Sequence, residues 1–189
     1  MPKNEPEPEQ RAHQQTNAAT ELARLQALID RSTATATPSV ADSVAYSGRQ
    51  MSAAEFVEFW RSVRLVAMAT VSAAGRPHIA PVHAQLGGAR FCFGPGRDAV
   101  SEENSDLTTL RMVIYEDAVR SADLVHNPSV ALTTWREDGA AVILYGRARE
   151  VPGSLREART GRSGKPRKVV ELAIKLTRIY AMRPPDRLP

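Results

Sequence analysis

The stretch "VAMATVSAAGRPHIAPVHAQL", Val66 to Leu86, decides how the rest of the chain is read. "VAMATV" is a short apolar strand rich in small residues, extended at its start by Arg64 and Leu65. "SAAGR" is a turn in which Gly75 can take a positive φ without steric cost. "PHIAPVHAQL" is a second strand. Pro81 inside it cannot donate to a ladder, which points to an edge or a bulge. The pair Gly87–Gly88 makes a tight turn into a third strand, "ARFCFG". Two such strands with apolar residues on both faces, as in Leu65–Val71, need cover on both sides.

The neighbouring segments agree with a small β domain. Upstream, "SAAE" is a capping box: Ser52 can accept from the third helical N–H and Glu55 can reach back. Phe56, Phe59, Trp60 and Val63 follow at helical spacing and form one buried stripe. Downstream, "DAVRSADLVHNP" reads as a short helix that ends before Pro128. "SVALTTW" is a strand, "REDG" a turn and "AAVILYGRAREV" another strand. "VPGSLREARTGRSGKPRK" reads as a basic loop, and "VVELAIKLTRIYAM" alternates well enough to close the sheet. The expected fold is mainly β with short helices, an antiparallel barrel over residues 51–189.

Residues 1–50 look different. Residues 1–16 are polar and rich in Pro, Glu and Gln, too poor in apolar surface to order themselves. "NAATELARLQALID" reads as a helix with Leu22, Leu25, Leu28 and Ile29 near one face, and "RSTATATPSVADSVAYSG" reads as linker. The expectation is a flexible appendage carrying one helix, with the domain proper starting at Ser52. The lone Cys92 excludes an intrachain disulfide framework. "MPKNEPEPEQ" has no apolar core for a signal peptide, and no apolar run approaches the ~20 residues of a membrane span. A soluble cytoplasmic protein is expected. The net charge of +4 is uneven: residues 101–124 hold two basic and six acidic groups, residues 147–189 twelve basic and four acidic. The basic third could meet a phosphate, a nucleic acid or an acidic coenzyme, or be a solvated face.

The order of these pieces resembles the pyridoxamine-phosphate-oxidase-like superfamily, the flavin-binding split β-barrel. The resemblance covers Ser52 to Val151, with Thr177–Met182 as a last strand. It implies a homodimer with two cofactor sites at the subunit interface. It also implies that the first two strands wall the flavin ring, where small side chains such as Ala67, Ala69 and Ala80 would admit a flat ring. Small residues also occur where barrel strands cross closely. For the phosphate, the family uses a turn after its third strand, a short helix and an Asn/Asp-Pro. Counting back from "NPSV" puts Arg120, with Ser121 beside it, where the oxidases carry a phosphate-binding Lys. "GPGRDAV" offers a second candidate turn through Gly94, Gly96 and Arg97. Between the two lies an insertion near 98–116 that could fold over the site as a lid. The oxidases' Arg and Lys on the second strand are replaced here by Ala80 and Gln85, so formation of pyridoxal phosphate is not expected.

The resemblance implies an oxidoreductase that transfers hydride between FMN, or the deazaflavin coenzyme Factor 420, and a small organic substrate. The basic residues of 156–168 could attract the acidic tail of Factor 420. The alternative is a non-catalytic flavin- or haem-binding module, with haem third among the cofactors. His83 could reach the cofactor or a substrate carbonyl as a donor. His78, beside a turn, reads as ordinary surface usage. His78 and His83 point to opposite faces of a regular strand, no Cys/His metal spacing occurs, and no catalytic residue can be named. Nucleic-acid binding is disfavoured, because the basic loop has no interleaved aromatics for stacking.

Overall fold

The computed structural model of the chain describes residues 8–45, 48–87, 106–159 and 166–184. The Ser52 capping box forms as expected: the Ser52 hydroxyl accepts from the Glu55 N–H, and the Ser52 N–H donates to the Glu55 carboxylate at 2.7 Å. The helix it starts, α3 (Ala53–Ser62), buries Phe56, Phe59 and Trp60. It follows α1 (Pro8–Ala34) and α2 (Pro38–Ala45). Strand β1 (Val66–Val71) then turns through Gly75, φ 76°, into β2 (Pro77–Val82). The second strand of the sequence reading is broken at His83 and Ala84 and resumes as β3 (Gln85–Leu86). The expected third strand "ARFCFG" lies outside the described residues. The remaining order is β4 (Thr109–Tyr115), α4 (Val119–His126), β5 (Ser129–Trp135), β6 (Ala141–Glu150), β7 (Arg156–Arg159) and β8 (Pro166–Met182).

All the strand pairs are antiparallel, in the order β2-β1-β5-β6-β8-β4-β3, with β7 on β8 beyond β6. The two ends of this sheet, β2 and β3, are separated in the chain by two residues. Three Cα steps span at most ~11 Å. The sheet must therefore curl until its edges nearly meet, and the break at His83–Ala84 is the split of the barrel. Inside it lie Met68, Leu110, Met112, Leu132, Leu144, Ile174 and Ile179, with the α3 aromatics in the same core. Strand β8 is long because it serves β6 and β7 on one edge and β4 on the other. Its pairing with β6 slips at Tyr145–Gly146. A Cβ at Gly146 would come within 2.7 Å of the Lys175 carbonyl oxygen, so only glycine fits this crossing.

Four segments differ from the sequence reading. The helix of the supposed appendage extends over Pro8–Ala34 and buries Leu25, Leu28 and Ile29 in the barrel's own core. Its apolar face has a partner in the domain, which the periodicity alone could not name. The supposed linker contains α2, with Val44 buried. The 98–116 insertion contains β4, whose Leu110, Met112 and Ile114 point into the core while the strand pairs with β8 along its whole length. The basic loop is partly a hairpin, because Arg156–Arg159 pairs with Pro166–Val169.

Candidate functional site

Three features are candidates for the site: the outer face of the first strands, the turn into α4, and the contact of α4 with Thr70 and His78 on the inner-face side of β1 and β2. Directly paired residues of antiparallel strands share a face. Ala67 pairs with Pro81 and Thr133, and Ala69 with Ile79 and Ala131. On β5 and β6, Ala131 pairs with Tyr145 and Thr133 with Ile143. The outer face of β2-β1-β5-β6 is thus a shallow band of small and apolar side chains. Ile79 at its edge is 73% exposed and Trp135 70%. Tyr145 stands edge-on to Tyr180, ring centroids 6.3 Å apart, at the far side of the band. Ala80 is not part of it. It pairs with the buried Met68 and so lies on the inner face, opposite Ala67 and Ala69.

The β4–α4 turn carries the best-placed cation. Helix α4 begins after Ala118, which provides no side-chain cap, so its first N–H groups are left to other acceptors. Ser121 sits in the first turn and donates its hydroxyl to the Tyr115 carbonyl at 3.0 Å, tying helix to strand. Arg120 beside it is half-buried, its Nε shielded from water and without a hydrogen-bond partner. Among the described residues it forms no ion pair. Gly94, Gly96 and Arg97, the competing turn, lie outside the described residues. His83 is exposed at the barrel split, and its Nδ1 donates to the Arg64 carbonyl at 2.6 Å.

The third feature has no local signal in the sequence, because its central residue lies 53 and 45 residues from its two partners in the chain. Asp123, one turn after Arg120 on α4, is 4% exposed and ionised. Its Oδ2 accepts from the Thr70 hydroxyl at 2.6 Å and from His78 Nδ1 at 2.8 Å. The Thr70 hydrogen bond, then the one from His78, hold its carboxyl below the usual carboxylate range. Thr70 and His78 are cross-strand partners, so one carboxylate pins α4 to both strands of the opening hairpin. A carboxylate only accepts, so Nδ1 of His78 carries the proton and Nε2 is left for other partners. Among the described residues no group of three or more His, Cys, Asp or Glu could hold a metal ion, and no helix is long and apolar enough to cross a membrane.

Comparison with known proteins agrees with this architecture. Residues 52–181 match the protein-family model for pyridoxamine 5'-phosphate oxidase. Among solved structures, a conserved hypothetical protein of Mycobacterium tuberculosis superposes with a TM-score of 0.51 at 16% identity, covering 74% of this chain and 89% of that one. The haem storage protein HutZ of Vibrio cholerae gives 0.45 at 13% identity over 68% and 93%. A pyridoxamine 5'-phosphate oxidase-related, FMN-binding protein of Nostoc punctiforme gives 0.44 at 13% over 67% and 78%. At 16% identity the first of these likenesses bears on fold alone. No curated protein matches the sequence.

Proposed function

The chain belongs to the pyridoxamine 5'-phosphate oxidase family, and on that premise we propose that it is an oxidoreductase working through a bound flavin-type coenzyme at the interface of two copies of the chain. The observation that carries this reading is Arg120, half-buried, its Nε shielded and without a hydrogen-bond partner among the described residues, in the first turn of a helix with no side-chain cap. Fixed positive charge and free N–H groups there suit a phosphate. FMN is the first choice and Factor 420 the second; both carry phosphate. When bound, the ring supplies the hydride chemistry. The chain's own part is to hold the phosphate with Arg120, to let the ring lie against Ala67 and Ala69, and to exclude water by seating a second copy over Ile79 and Trp135. A cation at the Ala80 position would have to point into the core beside Met68, which fits the expectation that pyridoxal phosphate is not the product.

Absorbance of the purified protein separates a flavin band from a Soret band, the latter favouring the haem-binding alternative. A quantitative test follows from Arg120. A charge-assisted phosphate contact is worth about 1.5–3 kcal/mol, or about 10- to 150-fold in affinity. Arg120→Ala should weaken FMN by that factor in fluorescence titrations of the apoprotein and leave riboflavin almost unchanged. Equal losses for both ligands would make Arg120 structural.

A further inference from the structure

The turn that presents Arg120 is acidic. Glu116 and Asp117 lie four and three residues before it, and their two charges outweigh its one. A phosphate arriving at Arg120 alone would meet a net negative neighbourhood. The base of the β7–β8 hairpin lies on this turn. Arg167 Nη2 donates to both Asp117 oxygens, at 2.6 and 2.9 Å. Its guanidinium carbon sits 3.7 Å from the centroid of the Tyr115 ring. Lys168 Nζ is 4.0 Å from Glu116, and the Glu116 N–H donates to the Lys168 carbonyl at 3.1 Å. Arg167 and Lys168 offset the charges of Glu116 and Asp117, so the turn itself no longer opposes an anion at Arg120. All four charged side chains are substantially exposed. Exposed pairs contribute little to stability, so the stabilising value of this cluster is small and its electrostatic effect on a nearby anion is the larger consequence.

We infer that Arg167 and Lys168 are specificity-determining residues for the phosphate end of the coenzyme, neutralising Glu116 and Asp117 so that Arg120 can accept an anion. The inference rests on the proposed phosphate site, and the probes are FMN and riboflavin, which differ only in the phosphate. Arg167→Ala should weaken FMN roughly 3- to 10-fold, and riboflavin hardly at all. Asp117→Asn gives the opposite sign. It breaks the same ion pair but removes a negative charge, so FMN should bind about 2- to 5-fold more tightly, and the double variant should regain most of the loss of Arg167→Ala. A pair that served only to hold the turn would make Asp117→Asn weaken FMN as Arg167→Ala does, and that result overturns the inference. If Arg120→Ala abolishes the preference for FMN over riboflavin while neither hairpin-turn variant moves it, the inference fails and the phosphate site stands. If the wild type has no such preference, or Arg120→Ala leaves it intact, both fall.

Discussion

Two surfaces of the same sheet are finished in opposite ways. Along Leu176–Met182, beyond the reach of β4, the free edge of β8 is covered by the chain itself. The buried Ser32 hydroxyl on α1 accepts from the Ile179 N–H at 3.0 Å while donating to the Leu28 carbonyl. Met51 N–H pairs with the Ala181 carbonyl, and Gln26 of α1 accepts the first N–H of α3. These contacts close the edge, and unpaired edges invite misassociation. Among the described residues, the outer face of β2-β1-β5-β6 has no such cover. Ile79 and Trp135 stand in solvent beside half-buried alanines. The first surface is closed within one chain, and the second is the face on which the proposed second copy would sit.

Removing the cover gives the largest expected effect. Deleting residues 1–45 strips Leu25, Leu28 and Ile29 from the core. At about 1.5–3 kcal/mol for each fully buried side chain this is roughly 5–9 kcal/mol, comparable to the whole stability of many domains, about 5–15 kcal/mol. The truncated chain should lose cooperative thermal unfolding by circular dichroism. Cooperative unfolding near the full-length temperature would restore the sequence-based boundary at Ser52.

Occupying the open face is next. The wild type should sediment as a dimer at micromolar concentration. Ala69→Arg places an unpaired charge in the centre of the band, where burial in an interface would cost roughly 3–5 kcal/mol, at least a 100-fold loss of dimer affinity. The variant should sediment as a monomer with its unfolding temperature little changed. A wild type that is monomeric removes both the dimer and the shared site.

A smaller change tests the closed edge at one atom. Ser32→Ala leaves the Ile179 N–H buried and unpaired, at a cost of about 1–3 kcal/mol. For a chain of this size that lowers the melting temperature by about 2–4 °C per kcal/mol. No measurable change would mean that water replaces the hydroxyl and that the edge is wetter than its burial indicates.

The same contrast explains what could be read in the sequence. Turns and caps were legible because their chemistry is local: the Ser52–Glu55 box, Gly75 and the "REDG" turn all form as expected, Gly139 at φ 86°. Strands β5 and β6 follow from alternation alone. The closed edge was not legible because its contacts are distant. Ser32 sits in the polar run "RSTATATPS", and its partner Ile179 is 147 residues away. Strand β4 has a usable signal in Leu110, Met112 and Ile114, spaced by two, but "ARFCFG" directly after the Gly87–Gly88 turn competes with it for the place of third strand. In the candidate site, Arg120 follows from the family resemblance, counted back from "NPSV", and its role at a phosphate is a proposal. Asp123 lay between them unremarked, because Thr70 and His78, which give it a role, are 53 and 45 residues away.

The smallest effect concerns that buried carboxylate, which joins α4 to the opening hairpin. Asp123 is held below the usual carboxylate range by the Thr70 hydroxyl, then by His78, with His126 adding a weaker favourable charge. A carboxyl whose folded pKa lies below its unfolded value binds fewer protons in the folded state. Its contribution to stability is therefore fully present above the unfolded pKa of about 3.9 and is lost as pH falls through the folded value. Asp106 titrates with the same sign, because hydrogen bonds from Lys175, Thr108 and Thr109 outweigh its partial burial, so the wild type loses both contributions in acid. Asp123→Asn retains a hydrogen-bonding oxygen but not the charge. Urea midpoints measured from pH 6 down to pH 2 should fall less steeply in Asp123→Asn than in the wild type, the gap between the curves narrowing once the pH drops below the unfolded carboxyl pKa. A parallel pair of curves would mean that Asp123 keeps its ordinary titration. The pin of α4 on the opening hairpin would then owe nothing to the carboxylate's charge.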